Sequence, residues 1–291
     1  MSRKNIDGAG IKRSRWREIW RLFRKNRPAM IGLVLLILIL LVAVFADVIV
    51  PYDKALDVSS DWLQPPSAEH IFGTDKFGRD IFSRVLYGAQ VSIQVGVIAV
   101  GIGAVCGYLL GLVAGYFEGV VDRVIMCVMD VLFAFPSILL AIFISAVLGK
   151  GIGPTMVAIG IVNIPVFCRT VRAAVISAKG LEYVQNAKSV GVKTWPLLLH
   201  HISPNVVAPF TVQVTLALSG AILTEATLSF LGMGIQPPSP SWGSMLSEAR
   251  ADMARSPWVA LFPLLFIVVT ILIFNILGDS LRDVLDPKLK V

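Results

Sequence analysis

The stretch AMIGLVLLILILLVAVFADVIV, residues 29–50, decides the class of this protein. It holds no basic residue and a single acid, Asp47. At about 1.5 Å per residue a helix of this length crosses the roughly 30 Å hydrocarbon layer of a bilayer. It is longer than the roughly 7–15 apolar residues of a secretory signal, and no small-x-small cleavage site closes it, so it reads as a retained helix.

The rest of the 291-residue chain repeats the message. It is 56% hydrophobic and 15% charged, with a mean hydropathy of +0.77. Soluble domains run nearer to about 25% charged. Apolar runs of spanning length fall at about 29–50, 89–116, 124–148, 155–177, 205–231 and 258–281, which predicts an all-α integral membrane protein of six helices. No internal repeat is visible and no separate soluble domain fits.

Charge sets the expected orientation. Residues 1–28 carry ten Lys/Arg against Asp7 and Glu18, a net +8, while the remaining 263 residues sum to −1. A basic tail of this kind reads as a topology signal on anionic lipid rather than a nucleic-acid arm. With both termini cytoplasmic, the inner segments hold 19 Lys/Arg and the outer ones 7, as the positive-inside rule requires. The expected order is a tail (1–28), a first helix (29–50), an external loop (51–87), a five-helix permease domain (88–281) and a cytoplasmic tail (282–291).

That orientation puts LEYVQNAKSVGVKTWPLLLHHISPN (181–205) on the cytoplasmic side, within the 178–204 connection between helices four and five. It reads as two short helices around a turn. Leu181, Val184, Ala187 and Val190 recur every three residues; Gly191 suits a left-handed C-terminal cap. Thr194 is placed to cap a second helix and Pro196 falls in its first turn. Trp195, Leu198, Leu199 and Ile202 follow at amphipathic spacing, and Pro204 is expected to end the helix. Such a pair is either a docking knob for a cytoplasmic partner or an interfacial helix resting on lipid.

A resemblance separates these readings. The spacing Ala187-x3-Gly191-x12-Pro204 resembles the cytoplasmic EAA loop of bacterial ABC-importer permeases, the helix pair that docks on the ATPase subunit. FGTDKFGRDIFSRVLYGAQVS (72–92), EATLSFLGMGIQPPSPSWGSML (225–246) and PWVALFPLLFIVVTILIFNILGDSLRDVLDPKLK (257–290) are similar to the second, C-type permease of peptide, dipeptide and nickel importers. The similarity runs from about residue 20 to the end. It implies Glu182, Gln185, Asn186, Ala187, Gly191, Trp195, Leu198 and Pro204 as the ATPase-coupling loop. The family's usual acid is Gln185 here, its usual Ala is Asn186, and its usual Leu before the final Pro is Ser203; Glu182 offers a carboxylate one turn earlier.

The resemblance further implies three partners: a second, homologous B-type permease, two ABC ATPase subunits and an extracytoplasmic solute-binding protein. ATP and Mg belong on the ATPases. The chain itself has no G-x-x-x-x-G-K-[ST] and is expected to be neither an enzyme nor a nucleotide binder.

Other features are weighed on the residues. Gly103, Gly107, Gly111 and Gly115 form a four-residue stripe for close helix approach, within this chain or against the partner permease. Gly73, Asp75, Gly78, Arg79 and Asp80 read as an external turn held by an Asp–Arg network, a scaffold for the binding protein, with a short surface helix from Ile81. Polar groups inside apolar runs are the candidates for a substrate path, Glu225 and Asn275 first; Asp130 reads as solvated or paired with Arg169 or Arg172. Cys106, Cys127 and Cys168 lie within helices with no paired spacing, so no disulfide and no metal site is expected. An intramembrane hydrolase built on Asp130 and Glu225 fails because the two carboxylates belong to opposite sides. A self-sufficient carrier would ordinarily show an inverted repeat.

Overall fold

The computed structural model describes residues 20–51 and 53–285. The expected basic tail, over residues 1–19, and the last residues, 286–291, lie outside it. Among the described residues the architecture is helical, with only an isolated bridge between Thr74 and Asp80. The long helices are α1 (Arg27–Val44), α2 (Ile81–Phe117), α3 (Gly119–Ala134), α4 (Ser137–Leu148) and α5 (Ile152–Lys179). The short α6 (Glu182–Ser189), then α7 (Ser203–Phe230), the short α8 (Trp242–Ala249) and α9 (Trp258–Leu285) follow, with brief helical turns at Ala46–Ile49, Asp53–Leu56 and Thr194–Pro196 between them.

Five helical segments are long and apolar enough to span, and α3 with α4 makes a sixth only as a bent pair. The sequence suggested one straight helix over 124–148. The chain instead turns by 93° at Phe135–Pro136. Pro136 lacks the N–H that would continue the ladder and excludes the helical region for the residue before it; Phe135 is extended at φ −92°, ψ 138°. The expected surface helix from Ile81 is likewise not separate. It is the first part of the 37-residue α2, which Asp80 starts by accepting hydrogen bonds from Ser83 N at 2.8 Å and Ser83 Oγ at 2.6 Å.

The helix pair α2–α5 forms the spine of the bundle, and the glycine stripe makes it. A Cβ on Gly111 would sit 2.6 Å from the Cys168 carbonyl oxygen, one on Gly103 2.8 Å from Asn163 Cβ, and one on Gly115 2.8 Å from Val175 Cβ. Gly107 abuts Phe167 more closely still. Gly160 of α5 returns the contact, its missing Cβ facing Ile102 and the Ala99 carbonyl. The stripe therefore packs within this chain. Without a hydrophobic drive between helices in lipid, such backbone approach supplies the van der Waals contact that holds them.

The two ends of the bundle differ. At one end, α6 and the start of α7 pack on the ends of α2 and α5 through Leu112, Val171, Val175, Val184, Leu197, Leu198 and Ile202. At the other, α8 inserts between α2 and α7. Trp242 is fully buried against Gly88 and donates from Nε1 to the Val85 carbonyl at 3.0 Å.

Candidate functional site

The knob between α5 and α7 is built as a capped helix followed by a widened turn. Helix α6 closes in a Schellman motif: Gly191 N donates to the Lys188 carbonyl at 3.0 Å and Val192 N to the Ala187 carbonyl at 3.1 Å. Gly191 takes φ +84°, with open space where a Cβ would point. Its requirement is conformational rather than steric.

Two expectations about the second half are corrected. Thr194 is the first helical residue rather than a cap; Lys193 occupies the cap position and no side chain bonds there. Pro204 does not end a short helix. Leu197–Ile202 form a π-helical turn that runs directly into α7, with Pro204 in the first turn of α7. A first-turn proline forfeits little hydrogen bonding, and the wider turn accommodates its ring. The same widening splits the amphipathic face. Leu197, Leu198 and Ile202 are buried, whereas Trp195 and Leu199 are 62% and 54% exposed.

The outward surface of the knob thus carries Trp195, Leu199, Tyr183, Val190, Glu182, Gln185, Asn186 and Lys188. Ala187 is half-buried against the core and Leu198 points inward. Hydrogen bonds missed in the sequence brace the knob. Asn205 Nδ2 donates to Tyr183 Oη at 2.5 Å and to the His201 carbonyl at 2.9 Å, and Tyr183 Oη donates to that carbonyl at 3.0 Å. Ser203, the departure from the family pattern, meets Tyr108 Oη of α2 at 2.5 Å. A Leu there would have no such bond.

At the opposite end, Asp75 is the centre of a charge cluster. Its Oδ2 accepts from Arg79 Nε at 2.7 Å and Arg84 Nη1 at 2.5 Å. Glu248 of α8 meets both arginines at 2.7 Å. Arg84 is 1% exposed. The expected Asp–Arg network exists, but Asp80 is not in it: Asp80 caps α2 and faces His70 Nδ1 at 3.0 Å. Arg84 and Glu248 belong to the cluster without having been singled out. Gly73 and Gly78 adopt φ +77° and +74°, and added Cβ atoms would meet the Gln64 and Ser59 carbonyl oxygens at 2.5 Å. The loop therefore needs glycine at both positions.

The polar candidates inside the membrane separate cleanly. Glu225 is wholly buried; its carboxylate accepts from Ser92 Oγ at 3.0 Å and Ser229 Oγ at 2.8 Å. It ties α7 to α2 and presents no surface to a passing solute. Asn275 Oδ1 accepts from Ser219 Oγ at 2.8 Å, joining α9 to α7. Asp130 and Glu225 lie on different parts of the bundle with separate partners. Charges do meet between α3 and α5: Arg169 with Asp130 at 2.6 Å, and Arg172 with Asp122 at 2.5 and 2.6 Å. At the helix ends, Lys179 bonds Glu118 at 2.7 Å and holds that carboxyl below the ordinary carboxylate range. Among the described residues no cluster of His, Cys, Asp and Glu is placed to hold a metal.

A helical bundle with five apolar spanning segments, a bent sixth, and a braced polar knob between two spans defines a multi-pass membrane protein. The chain belongs to the family of binding-protein-dependent transport system inner membrane components, whose profile matches residues 107–291. The N-terminal transmembrane domain of oligopeptide transport permease C matches residues 14–66. The dipeptide transport system permease protein DppC of Alkalihalophilus pseudofirmus is 47% identical over 95% of this chain and 91% of its own length. The glutathione transport system permease protein GsiD of Escherichia coli O6:K15:H31 is 51% identical over 96% and 92%. That of Pectobacterium atrosepticum is 46% identical over 96% and 93%. Two structures of inward-facing conformations of the MetNI methionine ABC transporter share the fold, with TM-scores of 0.57 and 0.58 at 15% identity. They cover 69% and 70% of this chain, and 96% and 97% of those chains. The protein is a permease subunit of an ABC importer, a transport component rather than an enzyme, and works with an ATPase and a binding protein.

Proposed function

We propose that this chain forms one half of the translocation path for short peptides, paired with a second, homologous B-type permease. Two ABC ATPase subunits drive the pair, and an extracytoplasmic solute-binding protein delivers the cargo. ATP and Mg reside on the ATPases. In this reading the knob end faces the cytoplasm, with the tail on anionic lipid, and the charge-clustered end faces outward.

The observation that carries the reading is the knob itself. Trp195 and Leu199 stand exposed on a support whose neighbouring residues Leu197, Leu198 and Ile202 are locked against the ends of α2 and α5. A large exposed apolar side chain on a braced, polar-rimmed surface is the pattern of a docking anchor. Force applied there passes directly into α7, because the second half of the knob, from Thr194, runs into α7 as one continuous helix. ATPase closure would then rock the permease pair between inward- and outward-open states.

Peptide cargo is supported by the relatives named for dipeptide and glutathione transport, 47% and 51% identical over nearly the whole chain. The test is uptake of labelled dialanine into vesicles carrying the complete transporter. Uptake that requires ATP, the ATPases and the binding protein supports the reading. Uptake by this chain alone, without nucleotide, would replace it with a self-sufficient carrier.

A further inference from the structure

Asp130 and Arg169 form a 2.6 Å ion pair and yet remain 62% and 45% exposed. Their depth makes that exposure informative. Asp130 lies eleven residues beyond Gly119, the start of α3, and Arg169 ten residues before Lys179, the end of α5. At 1.5 Å per residue the pair lies about 15 Å along α3 and α5 from their knob ends, within segments apolar enough to span a bilayer. Charges at that depth do not face acyl chains; they face a bundle interior or a water-filled cavity.

The surroundings fit water. Asp122, Arg123, Cys127 and Arg172 share with Asp130 an open groove of about 700 Å³ along α3. Arg169 also stacks over the Phe133 ring at 4.1 Å, which fixes the guanidinium beside Asp130 at the groove.

We propose that this groove is the chain's share of a water-filled translocation path, and that Asp130 and Arg169 form a relay within its spanning segments for solutes bearing both an ammonium and a carboxylate, such as a free dipeptide. The solute's carboxylate takes Arg169 and its ammonium takes Asp130, so each end exchanges one partner for another and no charge is left unpaired. The inference rests on the permease reading above and adds a place for the cargo.

The native Cys127, exposed in the same groove, is the reporter. The complete transporter in vesicles is treated with an anionic methanethiosulfonate or an apolar maleimide, and labels are located by peptide mass. The same vesicles are assayed for ATP-driven dialanine uptake. The expected result is labelling of Cys127 by the anionic reagent, lost during turnover with dialanine but retained with its N-acetyl, C-amide derivative. Labelling by the maleimide alone would make this face a lipid surface; labelling by neither would make it an interface with the partner permease. Equal protection by the blocked derivative would remove the charged-end relay. Each of these results overturns the proposal while uptake persists. Loss of uptake itself, in an intact complex, would instead count against the permease reading.

Discussion

Arg79 and Glu248 stand 169 positions apart in the sequence and meet at 2.7 Å. With Asp75 and Arg84 they join the turn before α2 to the helix α8 before the last span. All four side chains are largely buried, so the network is a closed set of charges in which each depends on the others. Glu248→Ala leaves two guanidinium groups with Asp75 alone. Breaking a buried pair from one side costs about 3 kcal/mol or more, and the thermal unfolding midpoint of the detergent-solubilised chain should fall accordingly. An unchanged midpoint would mean that water replaces the carboxylate without cost.

Gly107 and Gly101 lie on the same helix and should respond in opposite ways. A Cβ at Gly107 collides with Phe167 Cβ and the Ile164 carbonyl, whereas one at Gly101 meets nothing within 4 Å. Gly107→Ala should therefore destabilise the α2–α5 pair by about 1–3 kcal/mol. Gly101→Ala should be neutral or gain up to about 1 kcal/mol from helix propensity. Comparing the two unfolding midpoints checks both; similar values would show that α2 and α5 shift apart freely.

Gly191 governs the angle at the knob. Gly191→Ala retains the Schellman bonds at a left-handed cost of about 1–2 kcal/mol and should reduce uptake without abolishing it. Gly191→Pro also removes the N–H that bonds the Lys188 carbonyl and forbids φ +84°. It should abolish ATP-coupled uptake while the chain still inserts in the membrane. Uptake at the unaltered rate would remove the knob from the coupling mechanism.

Tyr183 should matter through its hydroxyl alone. Tyr183→Phe keeps the ring and deletes the bonds to Asn205 and the His201 carbonyl. A loss of about 1 kcal/mol is expected, felt as faster hydrogen exchange across α6 relative to α5. Equal exchange would show that the apolar contacts of Val184 suffice.

How far the sequence carried follows from the kind of signal each feature sends. The spans were legible because hydropathy is additive along a helix, and Gly191 because the turn it makes is local. The glycine stripe announced close packing, but only the positions of Phe167 and Val175 tell which helix it meets. The break at Pro136 was written in the sequence and hidden by the unbroken hydropathy around it. The π turn was not legible at all: Leu197–Ile202 has ordinary helical spacing, and the turn arises where Pro204 must fit a helix continuing from the knob. Glu225 drew attention because a lone carboxylate in an apolar run is rare, yet Ser92 and Ser229 consume it internally. The pairing of Asp122 with Arg172 could have been found by matching their depths from the two ends of the connection.

The central claim, that this chain transports only as part of an ATP-driven assembly held through its knob, is tested most directly by isolating the tagged chain from gently solubilised native membranes and identifying what accompanies it by mass. The account predicts a second permease of similar size and ATPases carrying the G-x-x-x-x-G-K-[ST] signature, with the ATPases lost from the Gly191→Pro chain. Recovery of this chain alone, active in liposomes without nucleotide, would contradict it.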